Sequence, residues 1–440
     1  METVLGNAKK YLDSITDTEC PDSNKFSDVF ATFLGPILVA STNSRGSTTA
    51  LLEEVTKLRS QSKYVPVAIQ LLHFQMNEVP DAAVDTFVQE SLFYLSHLDA
   101  LSLKPVMAET LSLCHVVNEF LCNKGNARII IRALRHLIGL FQPNDQCLTP
   151  MHAEFLQACI SGQMYRMGYD LVKSSLLIEI DPKTCVNTAD PPKYFYYAGI
   201  CCIALRDYDA AIENLIEVLA MPGHVVSAIS VAAYKKILIL SLLLSGKKFE
   251  PPRYILQMIG RIEKSTKKYE EIVTCFEQRD ANKLAILLTR LENVLQQDTN
   301  LGLAWRLQEA LITQQIKTLS RTYITLSLED IRKSVNLEDI ESVKYWLERL
   351  STAGEVSSSV NCITGIVNFS RPELHMQSNM QKIHEYLSDV SNVMERAREM
   401  YSAIIVSPRY VSKVNSSKGS GGRVGGMTTS GDQDIEMTAD

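Results

Sequence analysis

Histidine is the side chain that proteins use most often for both metal binding and proton transfer, and this chain of 440 residues has eight. No two of them form an HxH, HxxxH or HExxH pattern, the spacings that bring two zinc ligands together on a hairpin or helix. A phosphate-binding GxxxxGKS or GxxxxGKT loop and a GxSxG nucleophile motif are also absent. The histidines are His73, His97, His115, His136, His152, His224, His375 and His384.

Two pairs of adjacent carboxylates could serve acid–base chemistry, Glu53 with Glu54 and Glu270 with Glu271. Each pair falls on the polar face of a predicted helix, where such residues are commonly solvated surface. His152 stands at a predicted helix start and is interpreted as a packed or partly exposed histidine. We therefore predict a protein that is not an enzyme and has no catalytic residue, metal or cofactor. An active site built from residues distant in sequence is the alternative.

The ten cysteines are scattered, without a CxxC pair and without a preceding secretory signal. This pattern favours a reduced, intracellular compartment in which each thiol acts as a small hydrophobic group. The most apolar run, Ile237–Leu244, is far shorter than the roughly 20 residues that span a bilayer, so it predicts a buried helix and no membrane contact. The cysteines are Cys20, Cys114, Cys122, Cys147, Cys159, Cys185, Cys201, Cys202, Cys275 and Cys362.

The elements that would position these residues are mostly helices. From about Ala50 to Leu311, amphipathic patterns alternate with short turns, which predicts a right-handed solenoid of antiparallel helices. Residues 195–221 have the spacing of small and aromatic residues typical of a tetratricopeptide repeat. The residues of this repeat are Gly199, Tyr208, Ala211 and Leu215, and the spacing of three and seven recurs in Tyr165, Gly168 and Val172.

Residues 320–370 follow the helix, helix, hairpin order of a winged helix. Ser327 gives a first helix a capping-box-like start, and Asp339 or Asn336 could cap a second helix that ends at Gly354. The apolar period then changes to two, which indicates a β-hairpin. A winged helix either reads nucleic acid or pairs protein subunits.

The charge of this segment favours protein pairing. Residues 320–371 carry six basic and seven acidic side chains, and the chain has a formal net charge of -6. Because affinity for nucleic acid depends on neutralising phosphates, we predict no direct nucleic-acid binding. The exposed edge of the small sheet is predicted to pair with a neighbouring protein. The hairpin residues assigned to this contact are Val356, Val360, Ile366, Val367 and Phe369.

A long helix with a heptad pattern follows the winged helix and is predicted to end at Pro408. Its apolar residues are spaced alternately by four and three, so they form one seam that needs a partner surface. A bundle with helices of other subunits is the favoured partner, and folding back along its own domain is the alternative. The seam is Met376, Met380, Ile383, Leu387, Val390, Met394, Ala397, Tyr401 and Ile404, all but the first assigned to partner binding.

These patterns divide the chain into five predicted segments. Residues 1–190 form an N-terminal helical-repeat arm, and 191–319 the helical part of a second domain that ends in the winged-helix subdomain, 320–371. The bundle helix occupies 372–408, and 409–440 is predicted to be a disordered tail because it is mostly small and polar. The predicted fold is mostly α.

Helical repeats, a winged helix and a long terminal helix in this order resemble the PCI family, shared by subunits of the proteasome lid, the COP9 signalosome and translation initiation factor three. Six stretches narrow the resemblance to the subunit 3 family of the signalosome, over roughly 140–413. They are PMHAEF (Pro150–Phe155), YFYYAGI (Tyr194–Ile200), AYKKILILSLLLSGK (Ala233–Lys247), NLGLA (Asn300–Ala304), TYITLSLEDI (Thr322–Ile331) and TGIVNF (Thr364–Phe369).

The resemblance implies a non-catalytic scaffold subunit of a complex that removes a ubiquitin-like modifier from the cullins of cullin-RING ubiquitin ligases. In that family the zinc isopeptidase is a different, MPN-type subunit, whose motif needs an HxH pair that this chain lacks. The implied partners are other PCI and MPN subunits and, through the complex, cullin-RING ligases, in cytoplasm and nucleus. A PCI subunit of the proteasome lid or of initiation factor three is the alternative, and a winged-helix nucleic-acid-binding protein is a less favoured one.

Overall fold

The computed structural model describes residues 65–76, 83–144, 146–174, 179–180, 187–221, 226–337, 339–361, 364–370, 376–408 and 410–413. Contacts divide the chain into two compact units, Met1–Ser370 and Arg371–Asp440. The predictions for residues before Val65, for the tail after Lys413, and for Cys185 and Cys362 lie outside the described residues.

Short antiparallel helices build the first part of the described chain, and their apolar residues recur every three or four positions. In Ile131–Phe141, for example, Ile131, Leu134 and Ile138 are buried while Arg132 and Arg135 are exposed. The helices are α1 (Val65–Gln75), α2 (Val84–Ser96), α3 (Ala100–Leu103), α4 (Met107–Asn123), α5 (Ile131–Phe141), α6 (Pro150–Ser161), α7 (Tyr165–Ser174), α8 (Asp190–Ala204) and α9 (Tyr208–Ala220).

Four short segments complete this region. Single 3-10 turns lie at Lys104–Val106 and Ala127–Ile129, and two parallel two-residue strands, β1 (Cys147–Leu148) and β2 (Glu179–Ile180), pair beside the helices. One continuous apolar core runs from Val65 in α1 to Cys201 in α8.

The helix pairs approach closely where the predicted repeat has glycine. A Cβ atom added at Gly199 of α8 would lie 2.9 Å from Cγ of Leu215 in α9, and one added at Gly168 of α7 would lie 2.8 Å from Sγ of Cys201. Because both distances are shorter than real Cβ contacts, only glycine fits without a shift of its neighbour. The tetratricopeptide-like packing predicted from these residues is confirmed.

A second core continues the array around α10 (Ala228–Leu244), the helix predicted from its apolar run. Every residue from Ile237 to Leu242 is buried, so α10 is enclosed by other helices as expected. The same core takes in residues of α11 (Leu256–Glu277), α12 (Ala281–Arg290), α13 (Glu292–Gln297) and α14 (Leu301–Thr322), and a 3-10 turn lies at Arg253–Ile255.

The winged helix has its own small core. Its elements are β3 (Thr325–Ser327), α15 (Leu328–Val335), α16 (Ile340–Thr352), β4 (Ser357–Asn361) and β5 (Ile366–Ser370). The predicted cap is confirmed, since the Asp330 amide donates to Ser327 Oγ at 3.1 Å. Apolar residues of α15, α16 and the hairpin pack together with Ile316 of α14.

Two details of this subdomain differ from the sequence prediction. Asn336 caps the end of α15 and not the start of α16, because it adopts the left-handed conformation (φ 62°) that asparagine tolerates. The helices are also preceded by a third strand, β3, whose three residues are too few to be recognised from their alternation.

The second unit contains α17 (Met376–Val406), so the long helix predicted from the heptads is confirmed. α17 ends at Val406, two residues before Pro408, as the sequence predicts. Helical residues resume at Pro408, because Ser407 Oγ accepts a hydrogen bond from the Tyr410 amide at 3.3 Å and proline is accommodated in a first turn.

Candidate subunit interface

The small sheet of the winged helix has the order β3–β5–β4, so β5 is central and β3 and β4 are its outer strands in the described part of the chain. Both pairs are antiparallel, with Val360 opposite Val367 and Leu326 opposite Val367 from the other side. Backbone groups for pairing with another strand are therefore to be found on β3 and β4, and not on β5.

The five hairpin residues predicted to bind a partner divide into two groups. Val356, Val367 and Phe369 are buried in the winged-helix core, where their side chains hold the sheet against α15 and α16. Ile366 is 41% exposed and Val360 is half-buried. Side chains of the first group stabilise the edge from within, and only the second group can touch another protein.

A groove of about 460 Å³ lies between α16 and the outer strand β4. Buried Leu347 and half-buried Val360 supply its apolar lining, and Lys344 and Glu348 bring charges of both signs. The remaining lining residues are Ser351, Thr352 and Ser358. An extended segment beside β4 would meet backbone donors and acceptors on one side and this groove on the other.

The opposite edge of the sheet is more apolar. Ile324, just before β3, is 80% exposed, and the adjacent Tyr323 is 49% exposed. The Ile324 carbonyl accepts a hydrogen bond from the Phe369 amide at 2.7 Å, so its backbone is fixed while its side chain faces outward. The two edges thus differ in chemistry, one an apolar ridge and the other a groove.

Two arginines of the winged helix are engaged with neighbouring acidic and aromatic groups. Arg349 of α16 donates to Glu309 at 3.2 Å and lies 4.9 Å from the centre of the Trp346 ring. Arg332 of α15 pairs with Glu329 at 2.7 Å. The charges of these two arginines are therefore partly neutralised within the protein.

The terminal helix exposes its apolar seam. Ala397 is also exposed, whereas the side chain of Met380 lies outside the described residues. The exposed fractions are 51% for Ile383, 61% for Leu387, 55% for Val390, 51% for Met394, 68% for Tyr401 and 51% for Ile404. Large apolar side chains repeated at this exposure over a 31-residue helix are typical of a surface that another protein covers.

A second apolar row beside the seam was not recognised in the sequence. Tyr386 and Val393 are 68% and 62% exposed, and each precedes a seam residue by one position. Met400, half-buried, continues this row at the same spacing of seven. The signal was present as an apolar residue before Leu387, Met394 and Tyr401, and together the rows form a band wider than a two-helix seam.

Most of the side chains that could take part in catalysis, the cysteines and His152, are buried in the core. Burial raises the pKa of Cys159 and of Cys201 to about 12 and that of Cys202 to about 11, so these thiols stay protonated. His152 is fully buried in a capping box at the start of α6. Among the described residues, no group of three histidine, cysteine or acidic side chains could hold a metal ion. Nor is any helix in those ranges both long and apolar enough to cross a membrane.

Helical repeats that run into a winged helix with open sheet edges define a PCI-type scaffold protein, and residues 288–371 match the PCI domain family. Residues 37–259, half of the chain, match the family described as COP9 signalosome complex subunit 3, N-terminal helical repeats. The chain belongs to this COP9 signalosome subunit 3 family, and the resemblance inferred from the sequence stretches is confirmed.

Two curated relatives agree with this assignment. The COP9 signalosome complex subunit 3 of Arabidopsis thaliana is 26% identical over 325 residues, which cover 73% of this chain and 74% of the relative. The subunit of the same name from Dictyostelium discoideum is 28% identical over 296 residues, covering 66% of this chain and 71% of the relative.

Proposed function

We propose that this protein is a non-catalytic scaffold subunit through which the COP9 signalosome is assembled to remove a ubiquitin-like modifier from cullin-RING ubiquitin ligases. The observation that carries the proposal is the exposed apolar band of α17. Burying such a band on a partner stabilises association by about 25 cal/mol for each Å² of apolar surface removed from water.

The terminal helix would join a bundle of helices from other subunits. Its seam and the row that starts at Tyr386 point in adjacent directions, which suits contact with more than one neighbouring helix. The seam residues assigned to this contact are Met380, Ile383, Leu387, Val390, Met394, Ala397, Tyr401 and Ile404.

The winged helix would supply a second attachment by pairing sheet edges with other PCI subunits. Strand β4 and the groove beside α16 form one candidate edge, and the ridge of Tyr323 and Ile324 beside β3 forms the other. In this proposal Val360 and Ile366 contact the partner, while Val356, Val367 and Phe369 keep the edge in place.

Catalysis would belong to a different subunit of MPN type, and contact with cullin-RING ligases would be made by the complex. The proposed sites of action are the cytoplasm and the nucleus. The chain would divide into five parts. These are the arm, 1–190, the helical part of the PCI domain, 191–319, the winged helix, 320–371, the bundle helix, 372–408, and the tail, 409–440.

Charged substitutions on the seam test the bundle contact. We expect a variant carrying both Leu387→Glu and Met394→Glu to lose at least nine-tenths of the signalosome subunits that co-purify with the tagged protein, because carboxylates cannot be buried without partners. Quantitative mass spectrometry of the pulldown measures this. Asn392→Glu, which adds a charge at an exposed position outside the seam, is the matched control and should assemble normally. Normal assembly of the double variant would overturn the bundle proposal.

A further inference from the structure

Helix α14 belongs to two cores. Its first half, with Leu303, Leu307 and Leu311, packs into the core of the helical array, and Ile316 of its second half packs into the winged-helix core. The winged helix is further tied to α14 by the exposed ion pair of Lys317 with Glu355 at 3.1 Å. The orientation of the winged helix on the helical array therefore depends on how α14 packs against the array.

A polar network holds the point where α14 begins. Lys236 Nζ donates to Asn300 Oδ1 at 2.6 Å, and Asn300 Nδ2 donates to the Tyr269 hydroxyl at 3.0 Å. The hydroxyl donates in turn to Asp298 Oδ2 at 2.8 Å. Lys235 Nζ donates to both carboxylate oxygens of Asp298 at 2.8 Å. We call these five residues the joint network.

Three residues of the joint network are buried among apolar side chains, while Lys235 and Asp298 are half-buried. Lys236 is 4% exposed, and Asn300 and Tyr269 are each 1% exposed. Desolvation lowers the pKa of Lys236 to about 8, so burying its charged ammonium group costs folding free energy. Apolar side chains would fill the same volume without that cost, whereas hydrogen bonds in fixed directions allow only one arrangement of the helices.

The network joins two of the stretches on which the family resemblance rests. Lys235 and Lys236 belong to AYKKILILSLLLSGK on α10, and Asn300 begins NLGLA at the start of α14. Tyr269, on α11, links the two. Three helices of the array therefore meet at the end of α14 that lies away from the winged helix.

We propose that the joint network is a positioning device that fixes the start of α14 and thereby the seat of the winged helix on the helical array. The assembly consequence rests on the proposed function, but the positioning itself is a property of the single chain. Hydrogen exchange on the purified full chain tests positioning separately from assembly.

The first comparison uses Asn300→Leu, which removes both hydrogen bonds at similar side-chain volume. We expect amides of the first turns of α14, residues 303–310, to exchange at least tenfold faster than in the wild type, with β4 and β5 unchanged. The exposed Gln297→Leu is the matched control and should behave as the wild type. Unchanged exchange in α14 would overturn the proposal.

A double variant separates positioning from stability. Replacing both partners, Lys236→Met with Asn300→Leu, removes the buried charge, so the urea midpoint should return at least to the wild-type value. The directional constraint is still lost, and we expect α14 to exchange about fivefold faster and co-purification of signalosome subunits to fall severalfold. Wild-type exchange in the double variant would overturn the positioning role, whereas wild-type co-purification would overturn only its consequence for assembly.

The seam variants distinguish failure of the bundle proposal from failure of the joint-network proposal. If Leu387→Glu with Met394→Glu assembles normally, the bundle proposal fails, while the exchange results in α14 still decide whether the joint network positions the helix.

Discussion

His152 is the third residue of α6 and has no exposed surface, and its Nδ1 accepts a hydrogen bond from the Thr149 amide at 3.1 Å. The ring also lies edge-on to Tyr194, with the ring centres 5.9 Å apart. Desolvation lowers the pKa of this imidazole from 6.5 to about 4, so the folded protein holds it neutral. Its role is to cap a helix, and it links folding to pH.

We expect the free energy of unfolding to fall as the pH drops from 6.5 toward 4. The unfolded chain binds the His152 proton at a higher pH than the folded chain, so protonation favours unfolding in this window. The contribution is fully present above pH 6.5, and about 2 kcal/mol of it is lost by pH 5. Urea unfolding at pH 7 and pH 5 measures the difference.

His152→Gln provides the variant for this prediction, because glutamine at this position of a capping box can accept the same backbone hydrogen bond and does not titrate. The loss of stability between pH 7 and pH 5 should shrink by about 2 kcal/mol in this variant. His97→Gln, at an exposed ring, is the control and should keep the wild-type pH dependence. The same pH dependence in both variants would show that another group is responsible.

At the scale of elements, the outer strand β4 and helix α16 form the groove that would receive a neighbouring strand. Ser351 is exposed on its rim, so an arginine there would fill the groove without entering the core. We expect Ser351→Arg to reduce co-purification of other PCI subunits about tenfold, which corresponds to roughly 1.4 kcal/mol of association free energy. Pulldown with quantitative mass spectrometry checks this.

Ser342→Arg places the same side chain elsewhere on α16, outside the groove, and should have no effect on co-purification. Thermal unfolding of both variants confirms that the winged helix remains folded. Equal co-purification of the two variants would exclude the β4 groove as a subunit contact.

Elements with a strong period or a cap could be predicted from the sequence. The Ser327 cap, the apolar run of α10 and the seam of α17 each encode their structure locally. Strand β3 could not be predicted, because three residues are too few to show an alternating pattern and are held only by pairing with β5. Tertiary packing also decided which hairpin side chains are buried, and this is why Val367 and Phe369 lie in the core while Ile366 is exposed.

The site was predictable only in outline. Helical spacing predicts that Leu387 and Met394 share a face. The row of Tyr386 and Val393 was missed, although the sequence shows an apolar residue before both Leu387 and Met394, and the exposure of this row is given by the structure. The joint network could not be predicted, because its hydrogen-bonded residues are up to 64 positions apart in the chain and meet only through packing of α10, α11 and α14.

At the scale of the whole molecule, the exposed side chains are suited to binding other proteins, and the groups that could do chemistry are mostly buried. Most of the described thiols and His152 are buried, two arginines of the winged helix are paired with carboxylates, and large apolar side chains are exposed on α17 and at the edge of the small sheet. Each of the two compact units thus carries a candidate surface for a protein partner. A chain with this distribution fits a subunit whose function depends on its neighbours.

The most direct test of this account is quantitative mass spectrometry of proteins that co-purify with the tagged full chain and with a chain lacking residues 376–440. We predict that the full chain co-purifies near-stoichiometric signalosome subunits. The truncated chain should lose them while its helical repeats stay folded, as judged by circular dichroism. Co-purification of proteasome-lid or initiation-factor subunits instead, or undiminished assembly of the truncated chain, would contradict the account.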